Sequence, residues 1–390
     1  MKLSDREIKF ISSLLKDGKL LPEKYRSILF KNKKDIELIW EGKTSNLYDK
    51  TYSFKTIECV SGTKSNNGLE TEFKNNSFKE HFNSNHWKNK LIVGDNKCVL
   101  SSLKKGPLKK IIENNGGIKL IYIDPPFDVG INFKIEKNFY KNSKIENQGN
   151  SAFAYTDRWG KGKDSFLNMI YERLLLMKEI LSKDGSIFFH CDYRSSSKIR
   201  LLLDEVFGKQ SFVNEIIWCY RQGGRANNSY GKKHDTIFWF SKSKKHIFNP
   251  DNIRIPYEGK GGYQNSGNGV KIKGKIYKPN ELGKIPEDWW DIPAIPPMSK
   301  ERVGYPTQKP EKLLKRIILG SSNPNDIICD FFSGSGTTAA VCEVLGRKWI
   351  CSDLSDLSIK ISRDRLIKKK KLLSLQNKPH IPFEVLKLEG

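Results

Sequence analysis

Two short stretches of the chain bring together residue types able to do chemistry. The first closes an apolar run, "KLIYIDPPFDVG" (119–130). It sets one acid, Asp124, ahead of two prolines, Pro125 and Pro126, and a ring, Phe127. Each proline fixes φ and lacks an N–H, so the pair continues a strand poorly. Taken alone, the stretch reads either as a strand ending in a turn or as a rigid loop presenting a hydrogen-bond acceptor and a flat face. The second stretch, "IICDFFSGSGTTAA" (327–340), opens from an apolar run into Gly334-Ser335-Gly336 and then a helical pattern. Glycines there permit a tight turn and a close approach of ligand to backbone. It is neither GxGxxG nor a Walker loop, since no Gly-Lys-Ser/Thr follows. Asp330 ends the apolar run, where it could hold an ammonium group. Asp353 ends the next run, "KWICSD". It stands about 20 residues past the glycines, where an acid grips ribose hydroxyls in nucleoside-binding α/β folds. This region therefore reads as a half-site for a nucleoside-bearing cofactor, with a purely structural glycine turn as the alternative.

The elements that must carry these stretches follow from pattern. "KLIVGDN", "IKLIYIDPP", "SIFFHCD", "NEIIWCYR", "DTIFWFSKS" and "IICD" are short apolar runs without alternation. Such runs suit strands covered on both faces of an α/β sheet. Helical spacing separates them. "CVLSSLKKGPLKKIIENNGG" predicts a helix broken near Pro107, and 164–185 predicts a helix stopped by Gly185. "KPEKLLKRIILGSS" predicts another. The recurring strand–helix–strand order makes a doubly wound sheet the expected fold. Ligands bind such sheets beyond the carboxyl ends of the strands, so both chemical stretches meet if their strands are neighbours. Near the start, "SDREIKFISSLLKDG" carries a capping pair, Ser4 and Glu7, with apolar spacing at Ile8, Ile11 and Leu15. Residues 61–86 are polar and read as a loop or linker.

Composition narrows the partners. The 390 residues carry 69 Lys and Arg against 44 Asp and Glu, a net charge of +25. A polyanion is the natural partner, because bound cations release phosphate counterions. Hydrophobic residues make up 37% and charged residues 29%, a globular composition. No run approaches the ~20 apolar residues of a spanning helix, and "MKLSDREIKF" lacks a signal-peptide core. Membrane insertion and export are not expected. Seven cysteines form no CxxC pair, and several lie in apolar runs, which fits a reducing cytoplasm. Six histidines show no HxxxH spacing, so no metal site is expected.

Four motifs in order give a resemblance. Asp124-Pro125-Pro126-Phe127, "YPTQKPEKLL" (305–314), Asp330-Phe331-Phe332-Ser333-Gly334-Ser335-Gly336 and "GRKWICSDLSD" are similar to the amino-methylating DNA methyltransferases that use S-adenosyl-L-methionine. The resemblance covers about 88–365. The catalytic motif precedes the cofactor motif, the permuted beta-type order. The overall look is that of bacterial adenine-N6 methylases of restriction–modification systems, including Mod-type subunits, which are usually longer. The resemblance implies a Rossmann-like, doubly wound, mixed seven-stranded sheet. It implies that the Asp124 carboxylate and Pro125 carbonyl accept the two N6 hydrogens of a flipped adenine while Phe127 stacks on the base and Pro126 fixes the loop. It implies cofactor contacts from Asp330, Phe332, Ser333, Gly334, Ser335, Gly336 and Thr337, ribose contacts from Asp353, and a place near the cofactor's adenine for Asp95. Thr307 or Lys309 would meet the methionine carboxylate. Asp95 and Lys309 also have structural readings, Asp95 as a helix cap. Partners implied are double-stranded DNA and a cognate restriction endonuclease, with a homodimer left open and the bacterial cytoplasm and its nucleoid as the location. An Asp at the first motif position favours adenine over cytosine N4. The alternatives are the N4 reaction or an RNA target, an inactive nucleic-acid-binding relative, and a nicotinamide oxidoreductase that would leave Asp-Pro-Pro-Phe unexplained.

The expected organisation is a helical appendage at 1–85, a catalytic half at 86–220, a target-recognition insertion at 221–305 with a core strand near 235–243, a cofactor half at 306–365, and a basic tail at 366–390. The insertion is rich in Gly, Asn and Lys. Arg221, Arg225, Asn227, Asn228, Lys232, Lys233, Tyr263 and Gln264 suit phosphate and base-edge contacts. Trp289-Trp290 are expected to pack the insertion onto the core, and His234-Asp235 to close a loop onto the next strand.

Overall fold

Side chains alternate across a strand, so a run apolar at every position needs cover on both faces. The computed structural model supplies that cover. It describes residues 3–19, 21–22, 25, 37–40, 42–43, 48–65, 68–73, 87–127, 132–134, 153–156, 165–221, 226–257, 270–272 and 275–389. Among these, one mixed sheet has eleven strands: β1 (Ser53–Ser65), β2 (Gly68–Phe73), β3 (Asn89–Val93), β4 (Ile118–Ile123), β5 (Leu181–Cys191), β6 (Phe212–Cys219), β7 (His234–Ser241), β8 (Trp289–Asp291), β9 (Ile327–Asp330), β10 (Lys348–Asp353) and β11 (Phe383–Glu389). Their order is β8-β6-β7-β5-β4-β9-β10-β3-β11-β1-β2. The middle seven, β6 to β3, form the expected sheet, with β7 reversed against both neighbours.

The two apolar layers show why the runs lack alternation. On β4, Ile121 and Ile123 enter one core and Leu120 and Tyr122 the other. On β5, Ile187 and Phe189 face the first and Phe188 the second. The first core is closed by α2 (Asn96–Lys105), α3 (Leu108–Asn114), α4 (Ser165–Ile180) and α5 (Ser196–Phe207). The second is closed by α6 (Glu311–Ser321), α7 (Thr337–Leu345) and α8 (Asp356–Leu375). Among the described residues no helix is long and apolar enough to cross a membrane. Helix α1 (Asp5–Lys16) has the expected Ser4–Glu7 capping box, and Pro107 separates α2 from α3.

Three expectations change. The segment read as a helical appendage and linker contributes two sheet strands, β1 and β2. β1 buries alternate residues, Phe54, Thr56, Glu58 and Val60. Two of those four are polar, so the alternation is hidden in the hydropathy. Glu58 is compensated by Arg363 of α8 at 2.5 Å. The tail at 366–390 is likewise part of the fold: α8 runs to Leu375, and β11 pairs with β3 and β1. Within its lysine run, Lys370 is buried and bonds Glu343 at 3.0 Å. Finally, α4 ends at Ile180 and not at Gly185. Gly185 instead lets β5 approach β4, since a Cβ there would lie 2.8 Å from the Ile118 carbonyl oxygen.

Candidate active site

The parallel strands of the central sheet end on one edge, and β7, being reversed, starts there. Asp95 follows β3, Asp124 follows β4, Asp192 follows β5, and Asp330 and Asp353 end β9 and β10. Asp235 is the second residue of β7. All six line one cavity of about 840 Å³. Strands β4 and β9 are parallel neighbours, Ile121 beside Cys329, so the Asp-Pro-Pro-Phe loop and the glycine loop share this cavity.

At the cofactor end, Gly334 and Gly336 have φ of +46° and +70°. Left-handed backbone favours glycine. Asp353 holds the turn by accepting from Gly334 N at 2.8 Å and from Ser355 N at 3.0 Å. Burial raises its pKa above the usual carboxylate range. Asp330 accepts from Phe332 N at 3.0 Å and Thr338 Oγ1 at 2.5 Å. Burial, reinforced by Asp124 and Asp353, nonetheless pushes it up to about 7. Thr337 Oγ1 donates to the Lys309 carbonyl and accepts from Arg365. The buried Ser333 Oγ has no hydrogen-bond partner among the described residues. Phe332, Ser335 and Thr307 also line the cavity, whereas Gly336 lies behind it and packs against Ser362. Asp95 caps α2 through Lys97 N and pairs with Arg173 at 3.1 Å.

At the other end, Lys309 reaches Asp124 and not an open position: Nζ lies 2.5 Å from Oδ2. It also stands 5.5 Å from the centre of the Phe127 ring. Asp124 Oδ1 is buried with no hydrogen-bond partner among the described residues. Sequence reasoning missed the group beneath it. Tyr122 Oη is 2.9 Å from His190 Nδ1, and His190 Nε2 is 3.1 Å from Asp235 Oδ2. Asp235 was expected only to close a loop. The available signal was a His, His190, placed near the end of the otherwise apolar "SIFFHCD".

The rim carries cations and rings. Lys232, one of the predicted DNA contacts, lines the cavity and lies 4.2 Å from the Tyr193 ring centre. Tyr193 and Arg194, both missed, line it too, and buried Asp192 holds Arg194 Nε at 2.6 Å. Asn227 and Asn228 are exposed and Lys233 half-buried. Arg221 is exposed and its guanidinium pairs with Asp291, Nε to Oδ1 at 2.6 Å. Arg225, Tyr263 and Gln264 lie outside the described residues. Trp290 is buried and packs as expected, while Trp289 is 58% exposed. No cluster of potential metal ligands occurs among the described residues.

A seven-stranded Rossmann-like sheet with one reversed strand, a glycine turn at its cofactor end and an Asp-Pro-Pro-Phe loop beside it define a permuted amino-methyltransferase. The chain belongs to the DNA methylase family N6_N4_Mtase, whose model matches residues 118–364. It is 32% identical to DNA adenine methyltransferase YhdJ of Escherichia coli (strain K12) over 278 residues, 71% of this chain and 82% of that one. It is 32% identical to type II methyltransferase M1.MboII of Moraxella bovis over 251 residues, 62% and 86% of the two chains. It is 26% identical to the Mod subunit of the type III restriction-modification enzyme EcoP15I of Escherichia coli, over 60% of this chain and 35% of that subunit.

Proposed function

We propose that the chain methylates the N6 amine of an adenine turned out of duplex DNA, using S-adenosyl-L-methionine. One observation carries the reading: Asp124 and Phe127 share a cavity with the Gly334 turn and Asp353. The donor set suits the cofactor. Asp353 offers carboxylate oxygens to a ribose, the 333–336 turn and Asp330 suit the methionine and sugar portions, Asp95 suits the adenine end, and Thr307 and Thr337 suit the carboxylate end. When bound, the cofactor supplies an activated methyl group.

The protein's own part is to present the amine. The lone pair of adenine N6 is delocalised into its ring, and the base lies inside the duplex. Extrusion costs a few kcal/mol, of which stacking on Phe127 offsets about 1–3 kcal/mol. Asp124 and the Pro125 carbonyl accept the amine hydrogens and turn the lone pair toward the methyl donor. Lys309, 2.5 Å from Asp124 Oδ2, holds the carboxylate in place in the meantime. Position and field then do most of the work. Lys232, Arg194 and Tyr193 at the rim suit the phosphates and sugars beside the extruded nucleotide. The names of the relatives support adenine as the base and a cognate endonuclease as the biological counterpart. A homodimer is the further reading, checked by sedimentation.

The test is duplex DNA incubated with the protein and methyl-labelled cofactor, beside Asp124→Ala. Label recovered in N6-methyladenine and lost in the variant is the expected result. Label in cytosine, or none while the cofactor binds, overturns the reading.

A further inference from the structure

Beneath the Asp124 loop lies an imidazole that the reaction described above does not use. His190 is fully buried. Its ring stands edge-on to Trp218, with centroids 5.4 Å apart, and 6.0 Å from the Phe127 ring. A neutral imidazole has one donor and one acceptor. Asp235 as a carboxylate only accepts, so the hydrogen-bond network assigns the ring proton to Nε2. Nδ1 then accepts from the Tyr122 hydroxyl at 2.9 Å. The same Nδ1 is 4.0 Å from Asp124 Oδ1, the oxygen without a hydrogen-bond partner among the described residues.

We propose that His190, backed by Asp235, is a positioning residue that takes up the proton the target amine must lose through Asp124. The proposal rests on the methyl-transfer reading. An amine that has gained a methyl group carries one proton more than the neutral product. That proton passes from the nitrogen to Asp124 Oδ1, and from there to His190 Nδ1 as the Tyr122 hydroxyl turns away. The ring keeps its Nε2 proton on Asp235 and becomes an imidazolium between two carboxylates. Asp124 is again a carboxylate for the next amine, and the ring returns its proton to solvent when the site opens. No electron changes hands, and the one proton is accounted for at each stage.

The surroundings fit this duty. Tyr122 and Asp124 face the ring from β4, Asp235 from β7, and Lys309 from the segment before α6. Tyr220 and Trp218 close the β6 side, and Asp192 follows on the ring's own strand. With Arg194 held on Asp192, three carboxylates stand against one ammonium and one guanidinium. Burial opposes ionisation of Asp235, but the hydrogen bond from His190, with Lys309 behind, holds its carboxyl below its ordinary value. Tyr122 is pushed the other way by burial and by the charges of Asp124, Asp330 and Asp235, so its hydroxyl stays protonated.

The test uses the full chain in single turnovers on duplex DNA at saturating cofactor, from about pH 5.5 to 9. The His190 ring is followed in parallel by nitrogen NMR without DNA. His190→Gln should lose about 100-fold in rate, the size of one general acid–base contribution. It should also lose the acid limb of the profile while binding cofactor and DNA as before. Asp235→Asn should move the ring titration and the acid limb together toward lower pH. The proposal is overturned if His190→Gln keeps the wild-type rate, or if it falls by one factor at every pH with the limb intact. It is also overturned if the limb stays put in Asp235→Asn while the ring signal moves. Should His190→Gln fail to fold, the paired shift in Asp235→Asn decides alone. A wild-type protein that never methylates DNA would instead overturn the function itself.

Discussion

Asp330 is where the site departs most from what stability alone would choose. Its carboxyl is buried and titrates at about 7 instead of 3.8, because burial outweighs its bonds from Thr338 and Phe332. The folded protein thus keeps a proton that the unfolded chain gives up near pH 4. Stability contributed by this group is complete below the unfolded value and declines as pH rises, by about 1.36 kcal/mol per pH unit, until it levels off near 7. The full loss is about 4 kcal/mol, a large fraction of a typical domain's stability. Asp330→Asn cannot ionise. Its amide oxygen can still accept from Phe332 N, and its amide can donate to Thr338. The variant should therefore gain on the wild type by about 2–3 kcal/mol between pH 5 and pH 8. Urea unfolding at the two pH values reads that difference, in which the other titrating groups cancel. A gap between variant and wild type that is flat with pH, or one that shrinks as pH rises, refutes the reasoning. The same variant should bind S-adenosylmethionine poorly by calorimetry. The wild type should release up to about half a proton on binding near pH 7 and closer to one near pH 6, as a cationic ligand draws Asp330 into its charged form.

Two further substitutions probe the loops. Gly336→Ala places a Cβ 2.6 Å from Ser362 Oγ at a φ of +70°. The backbone cost is about 1–2 kcal/mol and the overpacking about 1–3 kcal/mol, so unfolding should show a loss of about 2–5 kcal/mol. Adding Ser362→Gly clears Oγ and Cβ but leaves Cα 3.1 Å away and puts a glycine inside α8 at about 1 kcal/mol, so it should restore only part of the overpacking loss. Phe127→Ala should weaken base capture by about 1–3 kcal/mol, seen as a smaller fluorescence rise from 2-aminopurine at the target, with cofactor affinity unchanged.

The site was legible where the chemistry is written in consecutive residues. Two prolines after an acid, and two glycines after a strand, announce themselves because few structural duties need them. The positions of β4, β9 and β10 followed from unbroken apolar runs. Contacts between distant strands left weaker traces. The His190–Asp235 bond depends on the antiparallel register of β5 and β7, which sets Cys191 beside Thr236. Nothing in either strand states that register. β1 pairs with β11 across more than 300 residues of chain, from Ser53 beside Glu389 to Val60 beside Phe383, and half of its buried face is polar. Thr307 or Lys309 is expected at the methionine carboxylate, with a structural role as the other reading for Lys309, and its ammonium sits on Asp124. Its place in "TQKP" fixes its neighbourhood but not which of two carboxylate-rich partners it meets.

The path of the chain explains why these residues meet at all. From β4 the strands build outward in one direction, through β5, β7, β6 and β8. The chain then crosses back over the second core through α6 and re-enters the sheet at β9, directly beside β4. From β9 it proceeds the opposite way to β10, which lies against β3. The loops leaving β4 and β9 therefore diverge to opposite sides, and a crevice opens between them. In an open α/β sheet that divergence marks the ligand position, whatever the order of the motifs along the chain. Here it sets Asp124 and Asp330 on its two lips, about 200 residues apart in sequence, with the proline loop above one and the glycine turn above the other. Reversing β7 completes the arrangement, because only an antiparallel strand brings its first residues, including Asp235, to the edge where the parallel strands end.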